Sequence, residues 1–552
     1  MATTQDSGWL DRARTVAGPG YNRWLVPPCA LAIHLCIGMA YGFSVFWLPL
    51  SRAIGIADPV VCQGMTLATA LTTTTCDWRV GDLVWTYTLF FVVLGAAAAI
   101  WGGWLERVGP RKAGVVAAFA WCGGMGIAAI GVSVHQLWLI WLGSGLIGGI
   151  GLGLGYISPV STLIKWFPDR RGLATGMAIM GFGGGALIGS PLADLLMKHF
   201  AGRAGVGVWQ TFLVLAAIYF VAMMAGAIGY RVPPDGFAPD GWRPAATVGS
   251  RFNVALADAH KTPQFWLIWS VLLLNVAASI GIIGVASPML QELFGGRLIG
   301  DAGTLFTGFD ASQKKAAATV GAGFVGIISL FNIGGRFFWA ALSDRIGRKA
   351  LYAVMTALGA LLYGLAAPAT AGIGLGLFIL TFAVIASMYG GGFAAVPAYL
   401  ADTFGTKYVG AIHGRLLTAW SLAGIVGPLF VAGVHDARIA AGVPRDEVYQ
   451  PIYLGLAALL GLGFVLNLFV RPVAARWHMA DNGPAVAAAP VVASSHAGNI
   501  DARAALASAA VGQRAAPASA AVDPRAALAW AAVGLPIAWG VYMAVLKAAV
   551  LL

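Results

Sequence analysis

The sequence predicts an all-α integral membrane protein made of two pseudo-symmetric six-helix halves, with one further apolar helix near its C-terminal end. Three observations lead there. Only 10% of the 552 residues are charged while 59% are hydrophobic, and mean hydropathy is +0.80; a soluble chain carries about 25% charged residues. The apolar residues gather into segments near the ~20 residues that cross a hydrocarbon core as helix, and open strands have no place in lipid. Landmarks in the first half of the chain also return 238 residues later.

Taken in order, residues 1–20 form a polar tail without an apolar core, so a cleaved signal peptide is not expected. Residues 21–230 hold apolar segments near 25–50, 83–104, 113–134, 137–164, 172–197 and 209–230. A polar linker, 231–264, follows. Residues 265–471 hold segments near 265–290, 316–342, 350–368, 371–400, 408–434 and 452–470. Residues 472–526 are rich in Ala, Pro and Ser and are expected to be disordered. In 527–552, the apolar run 527–550 is expected to be a thirteenth membrane helix, the alternative being a helix lying on the surface. The 75 glycines suit close packing of helices in lipid.

Orientation follows from the connections. With the N-terminus inside, inner segments hold 22 Lys and Arg and outer ones 9. That bias places both ends of the twelve-helix body in the cytoplasm and the chain in the cytoplasmic (inner) membrane. It also accounts for the net charge of +12 without nucleic acid as a partner.

The repeat is specific. Glu106-Arg107-Val108-Gly109 matches Asp344-Arg345-Ile346-Gly347, and Pro159, Trp166, Gly172 and Gly189 match Pro397, Phe404, Gly410 and Gly427 at the same offset. Two parallel halves with a site between them at the midplane are the plan of alternating-access transporters. Against that symmetry, Arg336 corresponds to Ala98, so the cation is a feature of one half alone.

Arg336 is the central candidate. It lies eight residues before the interfacial run Asp344 to Lys349, which at ~1.5 Å per residue is ~12 Å deep in a ~30 Å core. A cation there faces a cavity or a partner rather than lipid. Asn332 lies one turn earlier on the same face. This face is expected to hold an anion.

Gly102 to Lys112 resembles the loop 2–3 signature of the major facilitator superfamily, with Glu106 where the pattern usually has Asp, and Ala340 to Lys349 resembles its second-half copy. The resemblance implies the major facilitator fold and a conformational latch built from Glu106, Arg107, Arg111, Asp344, Arg345 and Arg348. Ala32 to Phe46, Asn332 to Arg336, Tyr389 to Phe393 and Asp402 to Gly405 are similar to the oxalate/formate antiporter family. That resemblance, from about Tyr21 to Arg471, implies transport of small carboxylates with Arg336 as the grip. A guanidinium suits this task through its two-pronged fork. Oxalate exchangers of the family carry a second cation, a lysine, in helix 11. Here that stretch reads Leu416-Leu417-Thr418-Ala419-Trp420-Ser421, so the chain resembles a monocarboxylate branch. Arg415, at the start of the helix, reads as an interfacial charge.

Tyr41, Tyr156, Tyr389 and Trp420 are the further substrate-contact candidates; each ring equally suits packing, and the case rests on their number. His34 is the candidate for a coupled proton, or else a neutral, satisfied histidine. No Asp or Glu lies deep in the first twelve segments. Cys62 and Cys76 share the long connection after the first segment; a disulfide is chemically allowed there, and spacing alone does not establish one. Gly143 to Gly148 fits G-x-G-x-x-G, but inside an apolar span it reads as a packing face. No cluster has metal-ligand spacing and no nucleophile–base pair appears, so neither a cofactor nor catalysis is expected. The expected partners are a small organic anion, the lipid bilayer and, in one alternative, protons. Proton symport and anion exchange both remain open. The rival readings are a dicarboxylate (oxalate/formate) antiporter, a carboxylate sensor without flux and an exporter of apolar drugs. The last leaves Arg336 unexplained.

Overall fold

A computed structural model describes residues 8–56, 59–202, 205–239, 242, 252–300, 304, 306–367, 374–445, 447–479 and 523–548. Among these, thirteen helices are long and apolar enough to cross a membrane. They are α1 Arg23–Leu50, α2 Val80–Val108, α3 Pro110–Ser133, α4 Leu137–Trp166, α5 Arg171–Phe200, α6 Val208–Gly229, α7 Pro263–Ile299, α8 Thr319–Ile346, α9 Arg348–Ala366, α10 Leu375–Phe404, α11 Val409–Ala440, α12 Gln450–Leu468 and α13 Pro524–Leu546. Most of the Ala/Pro/Ser-rich tail, 480–522, lies outside the described residues, and so does the question of its disorder.

The helices outrun their apolar cores. α7 continues past residue 290 to include the buried Glu292, and α11 continues past 434. Hydropathy reports the depth of lipid, whereas backbone hydrogen bonding carries a helix on into its polar end. Glu292 lies beyond the apolar segment 265–290, buried at the helix end far from the N-terminus, where Arg445, His435 and Tyr449 satisfy it. The α2–α3 and α8–α9 turns are copies of one another. Each reverses through a glycine at positive φ, Gly109 at +89° and Gly347 at +86°, a region closed to most side chains.

Across the two halves α2 packs on α11 and α5 on α8. The 238-residue offset reappears as contact geometry. A Cβ on Gly414 would lie 2.1 Å from the Ala98 carbonyl oxygen, and one on Gly176 would lie 2.9 Å from that of Arg336. Small residues thus bring the backbones together at both seams. α1 is regular helix over Val26–Ile37 and then tightens into a 3₁₀ stretch over Gly38–Phe46. Tyr41 is carried on this stretch, where a mid-helix 3₁₀ segment often marks a functional site.

The connection after α1 is ordered on the far face. Asp77 accepts from the amides of Ile54, Gly55 and Val60 at 2.7, 2.9 and 2.8 Å. Cys62 and Cys76 are joined by a disulfide with Cα atoms 5.8 Å apart. Trp78 stacks on His135, from the α3–α4 turn, at 3.8 Å.

α13 stands upright against α1, α5 and α8. Asn22 donates to Asp523 at 3.1 Å and the Trp530 indole donates to the Trp24 carbonyl at 3.1 Å near the N-terminal face. Further along, Gly540 lies against Leu187 and Ile188 of α5, and Ala544 against Gly326 of α8. A helix lying on one surface would not make this series of contacts.

Candidate functional site

Arg336 is fully buried on α8. Its Nε donates to Asn332 Oδ1 at 3.1 Å, and Asn332 Nδ2 donates to the Ala386 carbonyl of α10 at 3.1 Å, so the asparagine is locked and aims the guanidinium. Nη1 donates to the Ile179 carbonyl of α5, in the opposite half, at 3.2 Å. Nη2 has no partner among the described residues. A buried guanidinium nitrogen without an acceptor is costly, and an anion would remove that cost.

The walls are aromatic. The guanidinium carbon stands 5.8 Å from the Tyr41 ring and 6.0 Å from that of Phe393. Tyr41 and Tyr389 meet through their hydroxyls at 3.3 Å, joining α1 to α10. Trp420 lies 4.6 Å from Phe393, 5.5 Å from Tyr156 and 5.6 Å from Phe182. The Tyr156 hydroxyl and the Trp420 indole N–H are buried and unpartnered among the described residues. Arg336, Asn332, Tyr41, Tyr156, Tyr389 and Trp420 are therefore brought into one neighbourhood drawn from both halves.

His34 is placed differently. Its ring nitrogens face the carbonyls of Ala178 and Tyr156 at 2.5 and 3.0 Å, so it bridges α1 to α5 and α4. Three participants carried no sequence signal. Phe393 and Phe182 read as ordinary membrane aromatics. Gly183 reads as one of a glycine run, yet a Cβ there would lie 2.8 Å from Arg336 Nε; its bareness makes room for the guanidinium. His413 on α11 is also fully buried, and neither ring nitrogen has a partner among the described residues. Arg415 lies at the interface, bound to the Leu256 carbonyl and to His260 of the linker at 2.5 and 2.9 Å.

The duplicated signatures meet the other half at the N-terminal face. Asp344 accepts from the amides of Gly172 and Leu173 at 2.8 and 2.9 Å, capping α5. Glu106 accepts from the Gly410 amide of α11 at 3.1 Å, and Gly410 is the offset partner of Gly172. An acid at a helix N-terminus is favoured by the free amides and the helix dipole. Arg348 Nη2 holds Asp344 at 2.5 Å and its Nε reaches Asp402 at 3.2 Å; Asp402 in turn pairs with Arg171 of the first half at 2.8 Å. In the first-half copy Pro110 stands where Arg348 would, and Lys165 takes that part, binding Glu106 at 2.5 Å. Arg111 binds the carbonyls of Trp9, in the N-terminal tail, and Tyr230, in its own half, at 3.1 and 3.3 Å. Arg107 and Arg345 are exposed and form no ion pair among the described residues. A cleft of about 690 Å³ opens beside this latch, with Arg12, Arg107, Lys165, Arg171 and Lys407 among its lining residues. Such a basic mouth attracts anions.

Comparison with known proteins agrees with this plan. The sequence profile described as Major Facilitator Superfamily matches residues 30–428. The oxalate:formate antiporter of Oxalobacter formigenes is 25% identical over 453 residues, covering 82% of this chain and 92% of the antiporter. The apicoplast pyruvate carrier 1 of Toxoplasma gondii is 26% identical over 432 residues, covering 70% of this chain and 73% of the carrier. Among solved structures, the major facilitator transporter FucP in the outward conformation aligns with a TM-score of 0.57 at 12% identity, over 82% of this chain and 100% of FucP. The human organic anion transporter MFSD10 aligns with a TM-score of 0.53 at 17% identity, over 82% of this chain and 100% of that one. At such identities the structural likeness shows the fold alone.

Proposed function

The chain belongs to the major facilitator superfamily, hence is a multi-pass membrane transporter and not an enzyme, and from that premise we propose that it carries small monocarboxylates such as lactate, pyruvate or formate by alternating access. The observation that supports this reading is the unpartnered Nη2 of Arg336, fully buried among aromatic rings beside the equally unpartnered Tyr156 hydroxyl and Trp420 indole. One guanidinium balances one carboxylate. A second carboxylate would face the rings of Trp420, Phe393 and Phe182, where burying an unpaired charge is strongly unfavourable.

In this reading the moving bodies are residues 21–230 and 265–471, joined by the linker 231–264. The N-terminal face is the cytoplasmic face of the inner membrane. Glu106 and Asp344 hold that face shut, and a carboxylate at Arg336 would draw on α1, α4, α5, α8, α10 and α11 together. The names of the relatives, an oxalate:formate antiporter and a pyruvate carrier, support a substrate among small carboxylates. Purified protein in liposomes, offered labelled lactate, pyruvate, formate and oxalate, tests the assignment. Uptake of one or more monocarboxylates in preference to oxalate is expected. Preference for oxalate would favour the dicarboxylate antiporter; binding without flux would favour a sensor.

A further inference from the structure

We propose that α13 is a strap across the two halves: it moves with the first half, and its seat on α8 favours the closed N-terminal face. The inference needs the rocking of two halves and not the carboxylate at Arg336. α13 follows the second half in sequence, yet its hydrogen bonds go to the first. Asp523 accepts from Asn22, and the Trp530 indole donates to the Trp24 carbonyl, both at the entry to α1.

The sequence of α13 explains how it seats. Ala526, Val533, Gly540 and Ala544 form a buried stripe, whereas Leu528, Leu535 and Tyr542 are exposed. Spacings of seven and four residues keep each set on one face. Small residues let one backbone approach another in lipid. The approach is unequal on the two sides. A Cβ on Gly540 would lie 3.0 Å from Ile188 Cγ1 and 3.1 Å from the Leu187 carbonyl oxygen of α5, tighter than ordinary contact. A Cβ on Gly326 of α8 would lie 3.6 Å from the Ala544 carbonyl oxygen, an ordinary van der Waals distance. α13 is thus hydrogen-bonded to the first half, tight on α5 and loose on α8.

Position gives the strap its effect. Close approaches of α5 to α8 lie toward the N-terminal face, where Gly172 and Gly176 meet the carbonyls of Ala340 and Arg336. Further from that face the glycines of α5 turn to α1, Gly185 packing on Gly38 and Gly189 on Met39. There α13 lies against α5 at Leu187 and Ile188 and against α8 at Gly326. Opening the N-terminal face parts Gly172 from Ala340 and shifts the far ends of α5 and α8 relative to one another. A helix fixed to α5 then loses its seat on α8. Docking that one arrangement offers and the other does not shifts the equilibrium toward the first.

The test reads amide exchange in the full chain. The amides of Gly172, Leu173 and Gly410 are held across the seam by Asp344 and Glu106, so their exchange reports opening of the N-terminal face. Asp523→Ala with Trp530→Phe removes both hydrogen bonds to the first half through changes confined to α13. Exchange at the three amides should quicken severalfold, the scale of one or two hydrogen bonds. Cross-linking Gly326→Cys to Ala544→Cys ties α8 to the first half through α13, and should slow exchange by roughly tenfold or more relative to the same chain before linking. Cross-linking Asn22→Cys to Asp523→Cys joins parts that already move together, and should leave exchange near its value before linking. Unchanged exchange after the Gly326–Ala544 link would overturn the proposal. So would equal slowing by both links, which would show that α13 does not ride with the first half, and so would wild-type exchange in the Asp523→Ala, Trp530→Phe chain. No substrate enters the measurement, so absence of carboxylate transport fails the Arg336 reading and leaves the strap standing.

Discussion

Each residue around Arg336 has a separable task. Asn332 aims the guanidinium, Gly183 leaves it room, and Trp420 closes the far wall. Gly183→Ala places a methyl 2.8 Å from Nε, so the fork must turn. Lactate affinity should fall by roughly tenfold or more, for a misdirected charge-assisted hydrogen bond of about 1.5–3 kcal/mol; equilibrium binding checks it, and unchanged affinity would show that the guanidinium has slack. Trp420→Lys adds a second cation to the aromatic wall that faces Arg336. The ratio of oxalate to lactate counterflow should rise, the ratio being used because the indole's bulk is lost as well. Gly183, Phe182 and Phe393 were not legible in the sequence. They are neutral residues in apolar runs, and their meaning comes from partners on other helices. Arg336 was legible because a lone cation in an apolar run needs no partner to stand out.

At the scale of elements, the far-face connection is tied together by Asp77, the disulfide and the Trp78–His135 stack. Burial holds the His135 imidazole below the usual histidine pKa, against the opposing pull of the Cys76 carbonyl hydrogen bond and the Asp77 charge. With its folded value depressed, the neutral ring's contribution is present above the ordinary histidine value, near 6.5, and is lost as pH falls through the lower folded value. Hydrogen-exchange protection in residues 51–56 and 59–79, taken relative to the intrinsic exchange rate at each pH, should therefore fall on acidification, and His135→Phe, which keeps a stacking ring, should flatten that dependence. An equally steep profile in the variant would assign the change elsewhere. α13 yields a simpler expectation. Its contacts run from Asn22 near the N-terminal face to Gly326 far along the bundle. A protease site after residue 552 should be cut only from the face opposite the N-terminus; cutting confined to the N-terminal face would contradict a spanning helix. The helices themselves were legible from hydropathy. Their ends were not, because Glu292 and the last turns of α11 belong to helices by hydrogen bonding rather than by apolar character.

The whole molecule is two copies of one plan with asymmetry where function is argued to lie. The offset that pairs Gly172 with Gly410 was legible in the sequence, but not that both amides are held by the acids of the opposite half, since backbone donors carry no sequence signal. The two latches differ in strength. Asp344 accepts two amides and Arg348, whereas Glu106 accepts one amide with Ser161 and Lys165. Asp344→Asn should therefore open the N-terminal face more than Glu106→Gln does, read as faster alkylation in an Ile164→Cys background, at a buried position beside the cleft; the reverse order would show that Glu106 is the stronger latch. The same asymmetry places a cation at position 336 and alanine at 98, and the account stands on that cation. Its most direct test is lactate counterflow by purified protein in liposomes, comparing wild type with Arg336→Lys and Arg336→Ala. Lysine keeps the charge and loses the fork, and should weaken transport strongly. Alanine should abolish it in a folded protein, for a loss of about 2–5 kcal/mol, or roughly 30- to several-thousand-fold in affinity. Lactate transport at wild-type affinity by Arg336→Ala would make the arginine structural and contradict the account.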